Sequence, residues 1–210
     1  MSGEAPAAPA LGFTLPLFPL RTVLFPGGSL PIKVFEHRYV EMTRACLRDA
    51  RPFGVCLLLE GDEVARGDGA LPRIASVGTL ARIVDVDVPN PGILHVATAG
   101  GGRVEIRRHA PDALGLVVGE VTAIADEPAE PLAARYAPLA KLLRLIAARL
   151  RPGDFPGETR YGDASWVGYR LAELLPLPLA VKQSMLEIND ADVRLQVLQK
   201  FLAQQGVLQA

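Results

Sequence analysis

Residues 15–49 read LPLFPLRTVLFPGGSLPIKVFEHRYVEMTRACLRD, and the spacing of their apolar side chains changes once along the stretch. Up to about residue 35 the apolar runs are short and a Pro-Gly-Gly turn separates them, which is typical of strands. Beyond that point the apolar side chains recur at helical spacing, at Phe35, Tyr39, Met42 and Cys46. The pattern therefore predicts one amphipathic helix, residues 35–49, embedded among strands.

The segment before this helix contains two prolines, Pro16 and Pro19, among alternating apolar residues. Proline has no backbone N–H to donate to a strand ladder, so we expect an edge strand or an extended arm over residues 13–20. Residues 1–11 have one acidic residue, no basic cluster and no long apolar run. They predict a disordered tail and no signal peptide.

Further strand-like runs follow the helix as far as residue 124. A continuous apolar run at residues 53–59 predicts a strand buried on both faces, and a charged loop follows it. A Pro-Asn-Pro-Gly turn between residues 77–88 and 93–98 predicts a hairpin, and Gly100, Gly101 and Gly102 predict a second tight connection. Six or seven strands around one helix predict a partly closed barrel, residues 12–125.

The composition shifts to DEPAEP at residues 126–131, which predicts a domain boundary. Residues 131–206 then show helical spacing in four segments, as in a small bundle. Asn189 or Asp190 can cap the last helix, and its apolar face is predicted to contain Val193, Val197, Phe201, Leu198 and Leu202. The predicted fold class is α+β, a barrel with an embedded helix followed by a C-terminal helical bundle.

The sequence offers little for catalysis or for a cofactor. No lysine follows a glycine, as the phosphate-binding loop G-x-x-x-x-G-K-[ST] requires, so an ATPase of that class is excluded. Ser184 and Lys182 are two residues apart in a predicted helix and would point in different directions. Of the three dispersed histidines only His37 has a carboxylate and a tyrosine beside it. We predict no catalytic residue, no metal site and no cofactor.

The composition indicates where the protein occurs in the cell and in what kind of organism, but it does not identify a ligand. The formal net charge of −1 gives no overall attraction for polyanions. Cys46 and Cys56 are too few for a disulfide framework and are expected to be buried, reduced thiols. No apolar run is long enough to cross a membrane, so a cytoplasmic location is expected. Eighteen arginines against four lysines suggest a bacterial, GC-rich genome.

Several segments, taken in order, resemble the amino-terminal substrate-binding domain of Lon proteases from Phe13 to about Leu202. They are LPLFPLRTVLFPG at residues 15–27, EHRY at 36–39, VGTLARI at 77–83, GGGR at 100–103, KQSMLE at 182–187 and RL at 194–195. The resemblance implies a PUA-like β pseudobarrel followed by a helical bundle, and no catalytic residues. In full-length Lon proteases this region precedes the ATPase and protease domains and helps to engage substrates and assemble the oligomer, so a stand-alone relative without these activities is expected.

The resulting hypothesis is a non-enzymatic module that binds unfolded or extended polypeptide. Its candidate peptide-binding residues are large side chains expected near the junction of barrel and bundle: Phe18, Phe25, Tyr39, Trp166 and Tyr169. The same aromatic residues could instead form the core. RNA binding through a basic face that includes Arg103 and Arg107 is the alternative, although no aromatic residues alternate with these arginines for base stacking. A small-molecule enzyme is a third hypothesis, no membrane contact is expected, and self-association is left open.

Overall fold

The computed structural model describes residues 12–63, 71–151, 155, 156 and 158–207, so the predicted tail at residues 1–11 lies outside the described residues. Within these ranges the first part of the chain contains six strands and one helix: β1 Phe13–Leu20, β2 Ser29–Val34, α1 His37–Asp49, β3 Phe53–Glu60, β4 Arg73–Asn90, β5 Ile93–Pro111 and β6 Val117–Ala123. A 3-10 helix and four α-helices follow: Ala134–Tyr136, then α2 Ala137–Ala147, α3 Ala164–Leu174, α4 Leu179–Glu187 and α5 Ala191–Gln204.

The six strands form one barrel-like sheet in the order β2-β5-β4-β3-β1-β6. Strand β5 is 19 residues long, and this length lets it pair with β4 along much of its course, with β2 through its first half and with β6 through its second half. Because β6 also pairs with β1, strand pairing continues around the barrel. The predicted β pseudobarrel with an embedded helix, followed by helices, is confirmed.

The prediction of an edge position for β1 is wrong, because β1 lies between β3 and β6 in the sheet. Its first half, from Phe13 to Pro16, pairs antiparallel with β6. Its second half, from Leu17 to Leu20, pairs parallel with β3. Among the described residues each half therefore has one neighbouring strand, and this arrangement accommodates two prolines inside the sheet.

The predicted tight turn at Gly100–Gly102 is also wrong, because β5 continues straight through these residues. Gly100 is needed because the loop after β1 lies directly against it. A Cβ atom on Gly100 would be 2.2 Å from the Phe25 carbonyl oxygen. The Gly100 N–H donates to the Gly28 oxygen at 2.8 Å, and the Gly27 N–H donates to the Gly100 oxygen at 2.9 Å.

Helix α5 begins where predicted, but its buried face coincides with the predicted one only in part. The Asp190 carboxylate accepts a hydrogen bond from the Val193 N–H, so Asp190 is the cap. Val193 and Val197 are nevertheless 44% and 38% exposed, which corrects the predicted face. The predicted positions Leu198 and Leu202 are buried, and Ala191, Arg194 and Leu195 complete the buried face.

The helices pack against the barrel and share a core with it. The largest apolar cluster combines barrel residues with side chains of all four C-terminal helices, and the barrel contributes Val23, Phe25, Leu57 and Ala75. Cys46 and Cys56 are both buried and unpaired. None of the α-helices within the described ranges has the length and apolar character needed to cross a lipid bilayer.

Candidate functional site

The five aromatic residues singled out in the sequence are all buried, with exposures of 0–6%. They fall into two groups. Phe18 stacks on Tyr39 with ring centroids 3.9 Å apart, in the cluster beneath α1. The ring centroids of Phe25 and Tyr169 are 5.9 Å apart. Both residues and Trp166 belong to the core that barrel and bundle share. The five residues therefore do not form one surface, and their part in binding stays a prediction.

Trp166 and Tyr169 also line a cleft between barrel and bundle, here called the junction cleft. Its walls are the Pro26-Gly27 turn, residues 100–103 of β5, residues 126–129 of the linker and the first turns of α3. Its volume is about 450 Å³, which is within the range of clefts that hold ligands. The cleft is the place where the predicted aromatic residues meet the glycine run.

The β5 wall of the junction cleft is bare backbone. Thr79 of β4 lies opposite Arg103 of β5, and Ala81 lies opposite Gly100. Two β5 residues, Gly101 and Gly102, therefore face the single β4 residue Leu80, which makes a β-bulge. Gly101 is exposed. At Gly102 an added Cβ would have Asp126 Oδ1 as its nearest neighbour, at 3.7 Å. The wall can thus be approached closely by another main chain.

A buried carboxylate, Glu127, forms the floor of the junction cleft. Arg194 Nη1 donates to Glu127 Oε2 at 2.9 Å, and Arg194 Nη2 donates to Oε1. Ser165 Oγ and Tyr169 OH each donate to the carboxylate at 2.7 Å. Arg103 Nη2 lies 3.8 Å away, and the side chains of Glu127 and Arg103 are only 4% and 3% exposed. Linker, barrel and two helices therefore meet at one ionised group.

The two arginines also hold the end of α4. Arg103 Nη1 donates to the carbonyl oxygens of Leu186 and Ile188, at 2.9 and 3.2 Å. Arg194 Nε donates to the Met185 oxygen at 2.9 Å. The sequence analysis placed Arg103 on an exposed basic face, which is wrong because the guanidinium is drawn into this network.

A third buried arginine, Arg170 of α3, ties the bundle to the loop after β1. Its guanidinium is fully buried and donates to the carbonyl oxygens of Pro26 and Gly27. Arg170 Nε lies 3.1 Å from Glu173 Oε2. Burial lowers the pKa of Arg170, and the nearby Glu173 opposes this shift. The Pro26-Gly27 turn, which adjoins Gly100, is thus also held by hydrogen bonds from Arg170 of α3.

The ionisation of Glu127 makes stability depend on pH. Burial alone would raise the pKa of this carboxyl, but the hydrogen bonds from Arg194, Ser165 and Tyr169 and the charge of Arg194 outweigh burial and hold the pKa below its ordinary value. The unfolded chain therefore takes up the proton first as the pH falls. The carboxylate makes its full contribution to the free energy of unfolding above the pKa of glutamate in the unfolded chain, about 4.3. This contribution is lost as the pH falls towards and through the lower pKa of Glu127 in the folded protein.

We therefore expect the difference in unfolding free energy between the wild type and Glu127→Gln to shrink on acidification below about pH 4.3. Urea unfolding of both proteins at a series of pH values measures this difference. A difference that stays constant from neutral pH down to about pH 3 would show that folding does not lower the pKa of Glu127.

Arg107 of the expected basic face and two further exposed arginines, Arg44 and Arg48, have acidic neighbours. Arg107 Nη2 lies 2.7 Å from Glu105, Arg44 Nη1 lies 2.6 Å from Glu41, and Arg48 Nε lies 2.8 Å from Asp49. These contacts offset the positive charge that phosphates would need. Within the described ranges no three His, Cys, Asp or Glu side chains come together in a group that could hold a metal ion.

The sequence analysis gave no structural role to Glu127, Arg194 or Arg170, and Arg194 appeared there only in the RL segment of the family resemblance. Arg194 could have been noticed, because it stands three residues before Val197 and four before Leu198 in an otherwise apolar helical pattern. An arginine on the buried stripe of a helix requires a partner. Nothing in the linker sequence distinguishes Glu127 from its acidic neighbours.

Comparisons with known proteins agree with this geometry. A family model described as the ATP-dependent protease La (LON) substrate-binding domain matches residues 14–204. The Lon protease of Orientia tsutsugamushi (strain Ikeda) is 28% identical over 204 residues, which cover 92% of this chain and 25% of that protein. The Lon protease of Phenylobacterium zucineum (strain HLK1) is 30% identical over 216 residues, which cover 97% and 26%. The chain thus spans about a quarter of the length of these relatives.

Solved structures give the same result. The crystal structure of a Lon N-terminal domain protein from Xanthomonas campestris is similar, with a TM-score of 0.73 and 37% identity over 90% of this chain and 98% of that chain. The N-terminal domain of a Mycobacterium avium complex Lon protease has a TM-score of 0.63 at 20% identity over 91% and 98%, and this likeness concerns the fold alone. Because the family model covers almost the whole described chain, the protein belongs to the family of Lon (protease La) substrate-binding domains.

Proposed function

We propose that this chain is a non-catalytic module that binds unfolded or extended polypeptide, and that the junction cleft holds part of the bound segment. The observation that carries the proposal is the bare Gly101-Gly102 backbone, which lines a cleft of about 450 Å³ opposite Trp166 and Tyr169. Membership of a substrate-binding domain family supports it. The proposal assigns no ATPase or protease activity to these residues.

The chemistry of the cleft suits a main chain better than a small polar metabolite. A β-bulge leaves its extra residue outside the regular ladder, so backbone N–H and C=O groups near Gly101 are available to an extended segment. The floor is already saturated, because Glu127 accepts from Arg194, Ser165 and Tyr169. A ligand would therefore find main-chain partners at Gly101 and Gly102. The rest of the lining offers it the charged side chains of Arg160 and Asp163 and the small exposed parts of Trp166 and Tyr169, each 6% exposed.

Filling the cleft should abolish this binding without unfolding the protein. Gly102→Val adds a side chain where a Cβ has room and where the backbone has an ordinary φ. We expect affinity for a fluorescein-labelled, reduced and alkylated unfolded protein to fall at least about tenfold, which is about 1.4 kcal/mol of binding free energy. Fluorescence anisotropy measures the affinity, and thermal unfolding checks that the fold is kept.

Gly12→Val is the matched control, because an added Cβ there has its nearest neighbour at 3.6 Å and lies outside the cleft. Its affinity should equal that of the wild type. Unchanged affinity in Gly102→Val, or equal losses in both variants, would contradict the proposal. RNA binding, the alternative function, is tested by repeating the titration with single-stranded RNA at increasing salt concentrations. Contacts to phosphates weaken steeply with ionic strength, whereas apolar contacts to a peptide do not.

A further inference from the structure

Strand β4 has an open edge beyond the barrel. Its pairing with β3 ends where Ala81 lies opposite Phe53. Its pairing with β5 continues, from Arg82 opposite Ala99 to Asn90 opposite Ile93. Among the described residues, therefore, residues 82–90 have a neighbouring strand on one side and none on the other. Such an edge offers a row of backbone donors and acceptors to another extended chain.

The side chains along this edge alternate between acidic and apolar. Asp85 and Asp87 are exposed, and neither makes an ion pair with a described residue. Val84 and Val88 are 52% and 58% exposed. This nine-residue stretch, residues 82–90, is here called the β4 edge. It combines hydrogen-bonding capacity with apolar surface and with two negative charges, at Asp85 and Asp87, against the single positive charge of Arg82 at its start.

The charge selects the kind of chain that can pair there. A second copy of this protein, added antiparallel, would bring its own Asp85 and Asp87 close to the same two carboxylates, and like charges facing each other across strands are destabilising. A strand that alternates lysine or arginine with apolar residues would meet opposite charges instead. We propose that the β4 edge binds a partner polypeptide of this basic, alternating kind by strand addition.

This site is separate from the junction cleft and goes beyond the proposed function. Gly101 and Gly102 lie on the β5 side of β4, whereas the open edge is on the β3 side. A variant that fills the cleft should leave the β4 edge intact, and a change at Asp85 and Asp87 should leave the cleft intact. Failure of one proposal is thus distinguishable from failure of the other.

The test uses two blocked heptapeptides, one alternating lysine with valine and one alternating glutamate with valine. We expect the lysine peptide to bind the wild type about tenfold more tightly than the glutamate peptide, since two favourable cross-strand charge pairs replace two unfavourable ones. Asp85→Lys combined with Asp87→Lys should reverse this preference. Glu130→Lys combined with Glu158→Lys makes the same charge change at exposed positions elsewhere and should leave the preference unchanged.

Backbone pairing is tested separately from charge attraction. In a ¹⁵N-labelled sample the lysine peptide should slow amide exchange within residues 82–90, and N-methylation of alternate peptide residues should abolish binding. Equal affinity for both peptides, retained binding after N-methylation, or protection confined to other residues would each overturn the proposal. Binding of an unfolded protein to the cleft, read in the Gly102→Val comparison, does not depend on these outcomes.

Discussion

Replacing Glu127 with glutamine should lower the free energy of unfolding by about 3–5 kcal/mol, the usual cost of leaving a buried charge without its partner. The variant keeps the size of the side chain but removes the negative charge that Arg194 and Arg103 share. Both guanidiniums are 97% or more buried, so water cannot replace the carboxylate. Urea denaturation at neutral pH, monitored by circular dichroism, measures the change.

Glu158→Gln is the control for this measurement, because its side chain is 87% exposed. We expect its effect to stay within about 0.5 kcal/mol. If Glu127→Gln also stays within about 1 kcal/mol of the wild type, the buried network does not hold barrel and bundle together.

Gly100→Ala should be the second most damaging change, with a loss of about 3 kcal/mol of unfolding free energy. The added methyl group would be 2.2 Å from the Phe25 carbonyl oxygen, and that oxygen is main chain that cannot rotate away. Arg170 holds the adjoining turn through the Pro26 oxygen at 3.0 Å, so the loop cannot move without breaking this contact. Thermal and urea unfolding check the loss.

Gly102→Ala, two residues along the same strand, supplies the comparison. Its added Cβ has no neighbour closer than 3.7 Å, so we expect stability close to that of the wild type. Equal losses at Gly100 and Gly102 would indicate a general intolerance of side chains in this part of β5. That result would contradict the close approach of the Phe25 loop.

The periodicity of the sequence predicted much of the fold because each signal is local. The change of spacing after residue 35 located α1. The polar residues before the last apolar repeat limited the α5 cap to Asn189 or Asp190, and the structure shows that it is Asp190. Gly100 shows the limit of such signals. A glycine run predicts a turn when only its own segment is considered, but here it is explained by Phe25, which lies 75 residues earlier in the sequence.

The candidate site was harder to predict because its parts come from distant segments. Trp166 and Tyr169 were selected as large apolar side chains, and the structure brings both to the junction cleft. Phe18 and Tyr39 were selected for the same reason but lie beneath α1. Arg103 looked like a surface cation until its carbonyl partners on α4 were known. Burial of a charged group depends on partners that the local pattern does not contain.

Trp166 is the single tryptophan of the chain and lines the junction cleft, so its fluorescence gives the most direct test of polypeptide binding there. Titration with a reduced and alkylated protein that lacks tryptophan should change the Trp166 emission at the same concentrations at which anisotropy reports binding. The change should be lost in Gly102→Val and persist at high salt. Binding that leaves the Trp166 emission unaltered would contradict the account.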